Sequence, residues 1–313
     1  MRVRAFALSV GVTASCGRYA FDEQAQRDSH SIADAGATAD GAFSDAATGP
    51  RRDANQAPPR ICSGWSTPEP LATLNTAGNE RASQISSDGL VLIWKSGATP
   101  LVATRPSRTS DFTAPTPLLG FESTSVFDVA LAPSGREVYF STNDSCVQVA
   151  TSATALDFRG APRHEVEALC APRGGLAATG PHLTPDGLTM VIATSTNSGF
   201  GTLHFATRAS TAVDFSAPQP VAELGNAAGF PAVSSDGNTL FFEQPAPRLQ
   251  LWTATRLDAA RPFSTPAALS FTNGVAQYED ASITADATEL YFDTDRDGSG
   301  GNWDLFRVTR TCL

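Results

Sequence analysis

Residues 278–310 read YEDASITADATELYFDTDRDGSGGNWDLFRVTR. A short apolar run at 281–284 is followed by a turn at Asp286-Ala287. A second run at 289–293, a loop of Asp, Gly and Ser, and a third run at 303–310 complete the stretch. Short β-branched and aromatic runs parted by turn residues predict strands rather than helices.

The same order of blocks returns along the chain. The turn recurs as Ile85-Ser-Ser-Asp-Gly89, Leu131-Ala-Pro-Ser-Gly135, Leu183-Thr-Pro-Asp-Gly187 and Val233-Ser-Ser-Asp-Gly237, before Ile283-Thr-Ala-Asp-Ala287. Its last residue falls at 89, 135, 187, 237 and 287, a period near 50. After each turn comes a run such as Val138-Tyr-Phe140 or Leu290-Tyr-Phe292. Then comes a block ending Ala-Thr-Arg or close to it (103–105, 150–152, 206–208, 254–256, 308–310). A further block runs aromatic, small, any residue, Pro, as in Trp65–Pro68, Phe112–Pro115, Phe215–Pro218 and Phe263–Pro266. Phe158–Pro162 is one residue longer. Four short strands per unit at this period predict propeller blades. The expected fold is all-β: a single β-propeller of five four-stranded blades, with six as the alternative. The chain enters on an outermost strand (65–74) and ends on a third strand, so its two ends share one blade and close the ring.

The residues Ile283, Thr284, Asp286, Leu290, Tyr291, Phe292, Arg296, Gly298, Gly300, Gly301, Asp304, Leu305 and Phe306 resemble the TolB-like, WD-like propeller repeat of bacterial envelope proteins. The resemblance covers about 65–312 and departs from the pattern at Ala287, where Gly is usual. It implies a fold rather than an activity, because the family hosts binding, scaffolding and peptidase-accessory roles. The TolB propeller itself implies six blades.

Ahead of the repeats, Met1-Arg-Val-Arg4, an apolar run to Ala14 and Ser15-Cys16 make an export signal over residues 1–16. The Thr13-Ala-Ser-Cys16 ending resembles a bacterial lipoprotein box, which would lipidate Cys16. Residues 17–61 are rich in Ala, Asp, Ser and Gly and are expected to be a disordered tether reaching roughly 35–40 Å root-mean-square. The propeller then occupies 62–313. The net charge of −10 argues against nucleic acid or an anionic membrane surface as partner.

Export permits disulfides. Cys62 and Cys312 fall two positions apart when laid on the Arg-to-aromatic linker of the other units, so their pairing would staple the ring. Cys146 and Cys170 lie in loops that leave one face of a propeller and are expected to pair with each other.

Two sets of residues are candidates for chemistry. Asp293, Asp295, Asp297 and Asp304 fit the alternating-oxygen spacing of a calcium loop, D-x-D-x-D-G followed by Asp at the twelfth position. The competing account is a turn capped by Asp304 without metal. Glu80, Arg81, Asp128, His182, Glu279 and Asp280 fall at or beside the first strand of their units and are expected to line the channel mouth as ligand-binding residues. Paired carboxylates there could serve as acid and base, as in propeller glycosidases. Solvated or blade-tying carboxylates are the plainer alternative. There is no G-x-S-x-G, no phosphate-cradling G-x-x-x-x-G-K and no Cys-x-x-Cys. The expectation is a non-catalytic, exported, lipid-anchored propeller, a monomer that binds an envelope protein or glycan. The rival is an envelope glycoside-active enzyme.

Overall fold

The computed structural model describes residues 62–142, 146–170, 177–195, 200–245, 248–272, 275–296 and 302–312. The signal, the tether, Cys16 and Asp297 lie outside them. In chain order the strands are β1 (Glu69–Pro70), β2 (Glu80–Ile85), β3 (Val91–Ser96), β4 (Thr99–Thr104), β5 (Thr116–Pro117), β6 (Asp128–Leu131) and β7 (Glu137–Ser141). They continue with β8 (Cys146–Thr151), β9 (Arg163–Cys170), β10 (Ala177–Leu183), β11 (Thr189–Ser195), β12 (Gly201–Thr207) and β13 (Gln219–Pro220). The last are β14 (Gly229–Val233), β15 (Thr239–Gln244), β16 (Gln250–Thr255), β17 (Ala267–Ala268), β18 (Tyr278–Ile283), β19 (Glu289–Thr294) and β20 (Asp304–Thr309).

They form five four-stranded antiparallel sheets: blade I is β2–β5, blade II β6–β9, blade III β10–β13, blade IV β14–β17, and blade V β18–β19–β20–β1. The fifth blade is shared by the two ends of the chain, with Glu69 opposite Arg307 and Pro70 opposite Phe306. The innermost strands touch in the order β2, β6, β10, β14, β18 and back to β2, so the ring closes at five.

The core lies between blades rather than within them. Each apolar cluster spans two neighbours: Tyr139 and Val149 of blade II meet Met190 and Ile192 of blade III. Trp94 and Leu92 of blade I meet Tyr291 and Leu305 of blade V. A single sheet has two apolar faces and can bury both only in a ring.

The repeated motifs become one clasp. In blades I, III, IV and V the Arg of Ala-Thr-Arg sends Nε to the carbonyl of the last turn residue: Arg105 to Gly89, Arg208 to Gly187, Arg256 to Gly237 and Arg310 to Ala287. Its guanidinium lies over the aromatic seven residues on, at 4.7 Å for Phe112, 4.5 Å for Phe215 and 4.6 Å for Phe263, and in blade V over Trp65 from the other end of the chain at 4.2 Å. A cation over a ring face is attracted by its quadrupole. The Thr before each Arg exchanges bonds with the residue after the aromatic, as in Thr207 with Ser216. The turn itself is held by its Asp, which accepts the Ser or Thr hydroxyl two residues back and the N–H two residues on, as in Thr184–Asp186–Leu188.

Two differences from the sequence expectation have physical reasons. The outermost strands are two residues long in four blades; in three of them the second residue is a proline (Pro70, Pro117 or Pro220), which carries no N–H for the ladder. In blade II the corresponding stretch lacks proline, and β9 runs for eight residues. Both expected disulfides are present, Cys62–Cys312 and Cys146–Cys170.

Replacing either cysteine of the Cys62–Cys312 pair should lower stability by about 5 kcal/mol, against about 3 for Cys146–Cys170, since the loops closed differ so much in length. Denaturant unfolding of the single Cys→Ser variants measures the order. Ala287 takes φ 58° where the other turns have glycine at 66–77°. Ala287→Gly should therefore raise stability by about 1 kcal/mol in the same assay.

Candidate functional site at the channel mouth

An innermost propeller strand is an edge: one row of its backbone groups faces the channel with no strand to pair with. In this chain the row is broken by bulges. Register shifts fall between Arg81 and Gln84, Thr179 and His182, Gly229 and Ala232, and Glu279 and Ser282. Within each bulge one residue is left-handed: Ala82 (58°), Gly180 (59°), Phe230 (41°) and Asp280 (51°). Gly180 is needed for space as well, because a Cβ there would come within 2.8 Å of Phe230 Cα in the next blade. The inner strand of blade II, β6, pairs without such a shift.

The exposed N–H groups find their acceptors on the preceding blade. Gly180 N–H donates to Asp128 Oδ2 at 3.1 Å, Asp280 N–H to Glu243 Oε1 at 2.6 Å, and Ala82 N–H to Asp280 Oδ2 at 3.0 Å. Three residues beyond the left-handed position, Ile85 N–H donates to Ser282 Oγ and Val233 N–H to His182 Nδ1. Asp280 thus joins three blades: its N–H goes back to blade IV and its carboxylate forward to blade I.

The result is a cluster of carboxyls drawn from blades II, IV and V. Asp128, Glu243, Glu279 and Asp293 are all buried. Asp280 sits among them, and one ligand atom from each of Glu243, Glu279 and Asp280 lies within 4.8 Å of the others. Arg81 pairs with Glu279 and lies over Trp303 at 4.3 Å. Lys95 stands over Phe127, which is 49% exposed at the rim.

Burial, then the charge of Asp280, pushes the Asp128 carboxyl up to about 6, against the pull of the Ser141 hydroxyl and the Gly180 N–H. Burial and then Asp280 also hold Glu243 and Asp293 well above the ordinary carboxylate range. In Asp293 a carboxyl–carboxyl hydrogen bond to Asp280 adds to the rise. These are the effects expected when several acids are buried with little counter-charge. His182 is buried and pushed down to about 4, so it stays neutral with Nδ1 as acceptor.

Of the residues read from sequence, Arg81, Asp128, Glu279 and Asp280 meet at this end of the channel. Glu80 is turned into the neighbouring loop, where it takes the Thr76 N–H and hydroxyl and the Ser96 hydroxyl. His182 lies deeper, tying blade III to blade IV. The acidic hairpin divides: Asp293 joins the channel cluster, Asp295 accepts from Gln277 N–H at 2.6 Å and Nε2 at 3.0 Å, and Asp304 is paired opposite Thr294. Among the described residues these three do not form one group of ligand atoms, and Asp297 falls outside. Sequence reading missed Glu243. Its signal was position: Lys95, Ser141, Glu243 and Asp293 each follow the aromatic that ends the apolar run of a second strand.

Two small cavities lie by the ring axis. One is lined from all five blades by Gln84, Leu131, His182, Val233 and Ile283. The other lies between Asp128, Gly180, Phe230 and Asp280.

No protein-family model matches the chain, and no curated protein matches it. Solved structures do. An α-L-arabinofuranosidase from Podospora anserina, in complex with cellotriose, is 12% identical over 79% of this chain and 96% of its own, at a TM-score of 0.55. The catalytic domain of a Coprinopsis cinerea α-L-arabinofuranosidase is 12% identical over 79% and 97%, at 0.53. TolB from Acinetobacter baumannii is 13% identical over 74% and 52%, at 0.42, a looser superposition. At these identities the likeness is one of fold.

The raised Asp128 pKa has a sign. A carboxyl near 6 in the folded chain and near 3.8 when unfolded favours folding below about pH 4, and that contribution is lost as pH rises through 6. In chelator, the melting temperature of the wild type should fall between pH 4.5 and 7, and Asp128→Asn should flatten the slope. An unchanged slope in the variant would show that Asp128 is ionised throughout.

Proposed function

We propose that this chain is a non-catalytic binding or scaffold propeller of the cell envelope, exported and held to a membrane by a lipid on Cys16 through the 17–61 tether. The observation that carries the non-catalytic part is how the channel carboxylates are used. Asp128, Glu243 and Asp280 each give an oxygen to a backbone N–H of the next blade. Asp128, Glu243, Glu279 and Asp293 are buried rather than presented to a substrate. A general acid or base must reach the atom it protonates. The two disulfides support the export part, since such bridges persist in oxidising compartments.

The binding face on this reading is the rim around Phe127, Arg81, Lys95 and Trp303. It mixes exposed aromatic surface with cations and acids, a composition suited to a glycan or a polar peptide of an envelope protein. The chain acts as a monomer and meets neither nucleic acid nor a bilayer except through the lipid.

The rival is a glycoside-active enzyme. It is favoured by the fold shared with the arabinofuranosidases and by the Asp128 carboxyl near 6, the range of a general acid. A screen of arabinose-, xylose- and glucose-based oligosaccharides separates the two. The expected outcome is no bond cleavage by the wild type, and binding to envelope glycans or proteins that falls about tenfold or more in Arg81→Ala with Trp303→Ala. Turnover that disappears in Asp128→Ala or Asp280→Ala would replace the binding module with the enzyme.

A further inference from the structure

The carboxyl cluster carries more acid than its blade-tying role uses. Five carboxyls (Asp128, Glu243, Glu279, Asp280 and Asp293) meet at one end of the channel. The cations acting on them are Arg81, already paired with Glu279, and Lys95, which acts on Asp128. The N–H ties use Asp128 Oδ2, Glu243 Oε1 and Asp280 Oδ2. Glu243 Oε2 is buried and accepts no hydrogen bond. A buried oxygen without a partner costs free energy, and more when it is charged.

The geometry points to a divalent cation of the calcium class bound by Glu243, Glu279 and Asp280. Their ligand atoms are already within 4.8 Å of one another. Two oxygens bound to calcium at 2.3–2.6 Å stand at most about 5 Å apart, so all three fit one coordination sphere. Calcium suits an irregular set of carboxylates completed by water, whereas magnesium demands a near-ideal octahedron. Zinc would want His or Cys, and the nearest inner-strand histidine, His182, has its Nδ1 engaged by Val233 N–H. A cation here would satisfy the orphaned Glu243 oxygen and offset the repulsion between the acids. Because Asp280 also holds Ala82, the ion would fasten blades IV, V and I together. Its three ligands, Glu243, Glu279 and Asp280, are not those of the hairpin loop that contains Asp295, and the site stands whether the propeller is a binding module or an enzyme.

The test uses the full chain stripped with chelator, titrated with calcium chloride by calorimetry and followed by thermal shift. Terbium serves as an optical probe, sensitised by Trp303, which stacks on Arg81. The expected result is one calcium per chain and a melting temperature raised by several degrees at saturation. Glu243→Gln should weaken calcium at least about tenfold, with Asp295→Ala unchanged. Should Glu243→Gln lack a native near-ultraviolet spectrum, Glu279→Gln, which holds no backbone N–H, must show the same loss. Absence of heat and thermal shift in the wild type would overturn the inference. So would calcium binding that survives the Glu variant or vanishes in Asp295→Ala.

Discussion

Every innermost strand of a propeller ring has a free edge, and in this chain that edge is answered by side chains of the blade before it. Asp128 serves blade III, His182 blade IV, Glu243 blade V, and Asp280 with Ser282 blade I. Four of the five junctions are covered in this way among the described residues. Without such acceptors the bulged strands would bury unpaired N–H groups, each costing about 1–3 kcal/mol. The bulges and the acids are therefore one device. In blades I, III and V the left-handed residue turns its N–H toward the neighbouring blade, and the carboxylate is placed to receive it.

The same device explains the electrostatics. Acceptors that must reach an inner edge have to be buried, and buried acids repel one another and favour their protonated forms. Asp280 sits at the centre because it is donor, acceptor and bulge residue at once. Asp tolerates the left-handed conformation better than most residues, which makes it suited to that triple position. A pocket of shifted carboxyls can thus arise from folding requirements alone, and perturbed acids in a channel are not by themselves a catalytic signature.

The fold was legible because its cues are local and repeated. The turn, the Ala-Thr-Arg block and the aromatic-x-x-Pro block each recur with fixed spacing, and the structure joins them into a single clasp of Arg, ring and turn carbonyl. Ring closure was legible from the cysteines and from the strand with which the chain starts. The site was only half legible. Arg81, Asp128, Glu279 and Asp280 were found because they lie on first strands. Glu243 was not, since it lies on a second strand, opposite Gly229 of the inner strand, and the search for channel residues followed the first strands alone. A bulge shifts register by one residue and leaves no mark in composition.

The most direct test is amide hydrogen exchange, resolved by residue, at Ala82, Gly180 and Asp280. If the carboxylates of the preceding blades accept these protons, the three amides exchange as slowly as the neighbouring ladder amides of β3, β11 and β19, and Asp128→Ala releases Gly180 selectively. Rapid exchange at all three in the wild type would contradict the account.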